Sequence, residues 1–160
     1  LGMYDTGIFG TDILTRVLFE RGEGELAVSL LANKKEVSFH HMMQQGATTL
    51  WEYWSGKKSH SHPMFVAAAR YLFYELLGIR QAEGSSGFQN IVIAPRAAAS
   101  LDFTKGHITT GAGRIAVSLK KEGGVLVCET EIPEGVAAVF EYGGTKRPLR
   151  AGVNRFTAAL

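Results

Sequence analysis

Hydrophobic positions in the first half of the chain recur at a helical period. Ile13, Leu14, Val17 and Leu18 fall at i, i+1, i+4 and i+5, and the pattern stops at Gly22, which suits the left-handed conformation that ends helices. Leu26, Ala27, Leu30 and Leu31 resume it at once, so the spacing predicts a helical hairpin. Between Glu36 and Ser61 the periodicity decays into a stretch dense in His, Gln, Thr, Trp and Glu, read as a short helix plus loops. Pro63 then stands where the first turn of a third helix accepts it, and Phe65, Ala68, Ala69, Leu72, Phe73 and Leu76 mark an apolar face closed by Gly78.

From Arg80 to Gly87 the composition turns to Gln, Glu, Gly and Ser, which reads as a linker and divides the chain into domains at 1–84 and 85–160. Beyond it the period changes to two. An apolar run at Ile91-Val92-Ile93 is followed by Ile115, Val117 and Leu119 alternating with Arg114, Ala116, Ser118 and Lys120. A Glu122-Gly123-Gly124 turn leads into Val125 to Ile132, and Val136, Ala138 and Phe140 alternate before Gly143-Gly144. The expected fold class is α+β: a helical segment followed by a small antiparallel meander, as a β-sandwich or single sheet.

Composition constrains partners more than fold. The 160 residues are 46% hydrophobic, enough for a core, and a net charge of +2 arises from 17 basic and 15 acidic residues without a long block of either sign. Neither nucleic acid nor a membrane surface is expected as a partner. No apolar run approaches the roughly 18 residues of a membrane span, and the start, Leu1-Gly2-Met3-Tyr4-Asp5, lacks the marks of a leader. The chain reads as soluble, of open compartment, and as a piece excised from something longer. Cys128 cannot close an intrachain disulfide and lies in a strand-like alternation, so it is expected as a buried, inert thiol.

The densest cluster of polar and aromatic residues is Gln45-Gly46-Ala47-Thr48-Thr49-Leu50-Trp51-Glu52-Tyr53-Trp54. A carboxylate flanked by tryptophans suits a sugar-cleaving site, because aromatic faces stack on a pyranose while an acid or base acts at the anomeric carbon. Trp at this density is equally compatible with a core or interface, and Glu52 with a surface or ion-paired glutamate. Of the histidines, His40, His41, His60 and His62 cluster near this stretch, and His107 lies in the β-half. His60 and His62 at i, i+2 lack a convincingly spaced third ligand, so neither a metal nor another cofactor is expected. An imidazole bonded to a sugar hydroxyl or to Glu52 is the better use of these residues.

Gly46 to Trp54, followed by Ser59-His60-Ser61-His62 and an aromatic-rich helix, resembles the family 78 α-L-rhamnosidases, and Thr6-Gly7-Ile8-Phe9-Gly10-Thr11, Gly87-Phe88-Gln89-Asn90-Ile91 and Pro95 fall where that family has similar segments. The resemblance implies the end of an (α/α)6 catalytic barrel plus a C-terminal β-domain, and an inverting hydrolase acting on a rhamnose-containing saccharide or glycoside. It makes Glu52 the general base, His62 a rhamnose contact, and Trp51 and Trp54 pocket walls. The general acid would come from the missing N-terminal part of the same chain, so the segment alone is expected to be inactive and to self-associate through exposed helix faces. Tyr53, Ser61 and Val66 depart from the family pattern, where arginine, asparagine and glycine are common. A non-catalytic carbohydrate-binding or interaction module, or a glycosidase for another terminal sugar, are the alternatives.

Overall fold

The computed structural model describes residues 2–96 and 98–160. The chain separates into two compact units, one up to Tyr71 and one from Leu72 onward.

The first unit is helical. Helix α1 spans Ile8–Glu20, α2 spans Gly24–Leu31 and α3 spans Phe39–Gln44, and a 3₁₀ segment covers Pro63–Ala69. The α1–α2 hairpin closes as its spacing predicts: Gly22 takes φ +85°, and the Glu23 N–H donates to the Leu18 carbonyl at 2.8 Å. The buried face of α1 differs from the predicted one. Thr11, Thr15 and Phe19 point inward, whereas Ile13 and Val17 are 52% and 39% exposed. The threonines can be buried because their hydroxyls are satisfied: the Thr15 hydroxyl donates to the Thr11 carbonyl at 2.7 Å and meets the Tyr4 hydroxyl at 2.7 Å. α3 begins at Ser38, whose hydroxyl accepts from the His41 N–H at 3.0 Å.

The third helical run stands where Pro63 predicts, but not as one α-helix. Pro63–Ala69 winds as a 3₁₀ helix and Leu72–Leu76 as a π turn. Phe65, Ala68 and Tyr71 are therefore buried at intervals of three, as the tighter winding requires, and Leu72 and Phe73 are left exposed. Gly78 ends the run at φ +72°. A Cβ there would lie 2.2 Å from the Pro95 nitrogen and 2.3 Å from the Ala94 carbonyl carbon, so only glycine fits.

The second unit is a pair of four-stranded sheets, ordered β1-β2-β6-β7 and β3-β4-β5-β8. The strands are β1 Ile79–Gln81, β2 Asn90–Ile93, β3 Phe103–Thr110, β4 Gly113–Glu122, β5 Val125–Ile132, β6 Ala137–Tyr142, β7 Thr145–Leu149 and β8 Gly152–Ala159. Ile91 and Ile93 of the first sheet, and Ile115, Val117, Leu119, Leu126 and Cys128 of the second, enter one buried cluster, which makes the unit a sandwich. Two expectations are corrected here. The meander is interrupted because β2 and β6 pair in parallel, with Asn90 opposite Ala137 and Ile93 opposite Phe140. Such a pair needs a long crossover, and β3, β4 and β5 provide it by building the second sheet. The stretch read as a linker is instead the β1–β2 hairpin connection, where the Ala82 N–H donates to the Asn90 carbonyl at 2.9 Å and the Phe88 N–H to Gln81 Oε1 at 3.1 Å. Gln, Glu, Gly and Ser suit tight turns and linkers equally, so composition could not separate them. Cys128 is fully buried, and burial pushes its thiol up to about 11.

Among the described residues, no helix is long and apolar enough to cross a membrane.

Candidate active site

Glu52 is carried by an extended loop between α3 and the 3₁₀ segment, and main-chain bonds fold this loop back on itself. The Glu52 N–H donates to the Ser59 carbonyl at 2.9 Å, and the His62 N–H to the Leu50 carbonyl at 2.8 Å. The Thr49 hydroxyl donates to the His60 carbonyl. Glu52 is half-buried, and its Oε2 accepts from the Ser59 N–H at 3.4 Å. At the tip, the Gly56 N–H donates to the Tyr53 carbonyl at 3.0 Å, and the Lys58 ammonium lies 5.3 Å from the Tyr53 ring centre.

The two tryptophans beside Glu52 do different work. Trp54 packs at 4.1 Å between ring centres on Phe65, meets Phe39 edge-on at 5.2 Å and stacks at 5.9 Å on Tyr4, while its indole N–H donates to the Thr6 carbonyl at 2.7 Å. It remains partly exposed and lines a cleft of about 330 Å³ with Gly7, Ile8, Phe9, Gly10, Glu52, Tyr53 and Phe65. Trp51, expected beside it as a pocket wall, is 7% exposed and packs with Met42 and Phe65 in the core. Its free face is covered by the His60 ring, stacked at 4.6 Å, so in this unit it supports the loop from beneath. His62 is partly buried at the start of the 3₁₀ segment and is not among the residues lining the cleft. His60 bonds to the Gly56 carbonyl at 2.7 Å.

Gly7, Ile8, Phe9 and Gly10 also line the cleft, and composition alone did not mark them as part of the site. The signal in the chain was two glycines bracketing Ile8 and Phe9, of which Phe9 is 65% exposed. Among the described residues, no group of three or more His, Cys, Asp or Glu is arranged to hold a metal ion.

A glutamate on a pinned loop thus shares a cleft with aromatic side chains in a helical unit, and a β-sandwich follows in sequence. Residues 2–76 match the bacterial α-L-rhamnosidase 6 hairpin glycosidase domain, and residues 78–155 match the bacterial α-L-rhamnosidase C-terminal domain. The chain belongs to the bacterial α-L-rhamnosidase family. An α-L-rhamnosidase of Formosa agariphila is 30% identical over 147 residues, which are 85% of this chain and 16% of that protein. One from Alteromonas sp. is 29% identical over 146 residues, 84% of this chain and again 16% of the relative. The chain thus spans about a sixth of the length of the curated relatives it matches. Among solved structures, the Streptomyces avermitilis α-L-rhamnosidase complexed with L-rhamnose has the same fold, with TM-score 0.85 at 20% identity over 98% of this chain and 18% of its own. The Aspergillus terreus α-L-rhamnosidase gives 0.86 at 22% identity, over 97% of this chain and 20% of its own.

Proposed function

We propose that this chain supplies the general-base side of an inverting α-L-rhamnosidase whose remaining catalytic groups lie elsewhere in a longer protein. One observation supports the reading: among the described residues Glu52 is the single carboxylate lining the 330 Å³ cleft, it accepts a bond from its own loop, and it shares the cleft with Trp54 and Phe9. The exposed Phe9 ring and the part of Trp54 left open offer apolar surface for a 6-deoxy sugar. Glu52 takes a proton from water as the water oxygen bonds to the anomeric carbon. The glycosidic oxygen leaves on the opposite side of the sugar ring with a proton from the acid. That geometry requires two carboxyl groups roughly 6.5 to 9.5 Å apart. His62 completes the sugar contacts as the loop meets the rest of the barrel, and Trp51 fixes the floor. Terminal α-L-rhamnosides are the substrate class that the relatives' names indicate.

Glu52→Gln in the full-length protein keeps shape and removes the base. Turnover of an aryl α-L-rhamnoside should fall by about 10² to 10⁴. Near-normal hydrolysis by that variant would sink the assignment. The segment alone hydrolyses nothing in this reading, and the exposed α1 stripe of Phe9, Ile13 and Val17 drives it to self-associate. A monomer at high concentration in light scattering contradicts that part.

A further inference from the structure

The geometry points to His60 as the positioning residue that holds the Glu52 carboxylate in place, an inference that rests on the assignment of Glu52 as base. Three residues of the loop, Trp51, Gly56 and His60, form one packed layer. Trp51, the residue before Glu52, is anchored in the core with Met42 and Phe65. The His60 imidazole lies on the Trp51 ring at 4.6 Å, with the planes 19° apart. Gly56 closes the layer at φ +71°, and a Cβ there would stand 2.9 Å from Trp51 Cζ3.

His60 ties the layer together by a bond of defined polarity. A carbonyl only accepts, so the 2.7 Å contact with the Gly56 oxygen places a proton on His60 Nε2. One side chain therefore clamps the tip of the loop through Gly56 and the core through Trp51. Its own backbone follows Ser59, whose N–H reaches Glu52 Oε2 at 3.4 Å and whose carbonyl receives the Glu52 N–H at 2.9 Å. The position of Ser59, and with it the direction of the carboxylate, is set by the stacked imidazole. His60 itself is exposed and does not line the cleft that contains Glu52. It acts through Glu52 rather than on the sugar.

Displacing a reacting group by about 1 Å costs on the order of 10²-fold in rate. In the full-length protein His60→Ala should therefore lower kcat about 10- to 100-fold with KM changed less than about twofold. His60→Phe keeps the stack and loses the bond to Gly56, and should recover part of that loss. The decisive comparison places His60→Ala in a Glu52→Ala background, with azide replacing the activated water. A residue that acts only through Glu52 has nothing left to position there, so the azide-dependent rate should be the same with and without His60. A wild-type kcat for His60→Ala overturns the proposal, as does a raised KM alone, or an equal loss in the azide-rescued background. If Glu52→Ala itself hydrolyses normally, the base assignment fails and takes this inference with it. A dead Glu52→Ala with an unaffected His60→Ala removes only the role of His60.

Discussion

The two units solve burial in different ways. The β-sandwich finishes its own core: both sheets send alternating apolar residues inward, and Ile93, Ile115 and Cys128 are completely shielded. The helical unit finishes only one side. Around Tyr4, Phe19, Trp51 and Phe65 it is closely packed, yet α1 turns Phe9, Ile13 and Val17, spaced four residues apart, toward solvent. A helix with apolar residues on more than one face is built for burial on more than one side. The β-unit thus resembles an independent domain, and the helical unit a slice of a larger assembly, in which Phe9 belongs both to the exposed stripe and to the lining of the cleft.

The largest effect that could break this contrast is at Gly78. Gly78→Ala would drive a Cβ into the main chain of Ala94 and Pro95 at a positive φ. The atoms it meets are all backbone, with no flexible group to yield, and the loss should exceed about 4 kcal/mol, seen as failure of the β-unit to unfold cooperatively in urea. A wild-type midpoint would mean that the strap after the π turn is not fixed. Next in size is a matched pair. Ile115→Ala should cost roughly 2–5 kcal/mol in any context, since the residue is fully buried. Ile13→Ala should cost less than about 0.5 kcal/mol in the isolated segment, as at other exposed sites, but several times more in the full-length protein. Equal costs in the two contexts would show that the stripe on α1 is never covered.

An effect confined to high pH concerns Cys128. Its thiol is pushed up to about 11 by burial, so between pH 9 and 11 the unfolded chain has released a proton that the folded one keeps. Fewer protons bound in the unfolded state means stability that is complete below pH 9 and declines as pH rises, at up to about 1.4 kcal/mol per unit. Cys128→Ser titrated alongside should flatten that decline. Native Cys128 should also resist a thiol reagent at pH 8.

Much of this was legible in the chain. An apolar run found β2 and alternation found β4, β5 and β6, because a half-buried strand must alternate, and Gly22 and Gly78 marked both helix ends because no other residue fits a left-handed stop so cheaply. The buried face of α1 was not legible. Threonine counts as polar until its hydroxyl has a partner, and the partners, Tyr4 and the Thr11 carbonyl, become visible only once the chain folds. The parallel β2–β6 pair escaped for a similar reason, since local pattern gives strands but not their neighbours. At the candidate site, the Trp-Glu-Tyr-Trp run marked a loop of which Glu52, Tyr53 and Trp54 line the cleft. It could not show that Trp51 is buried in the core while Trp54 lines the cleft, because residues 50–54 lie in neither a helix nor a strand and follow no regular period.

The central claim is that Glu52 activates the nucleophile on the face of the sugar opposite the leaving group. Its most direct test is to supply azide to Glu52→Ala in the full-length protein with an activated aryl α-L-rhamnoside and to determine the anomeric configuration of the product by NMR. A restored rate yielding β-L-rhamnosyl azide is the predicted result. No rescue, or an azide of retained α configuration, would contradict the account.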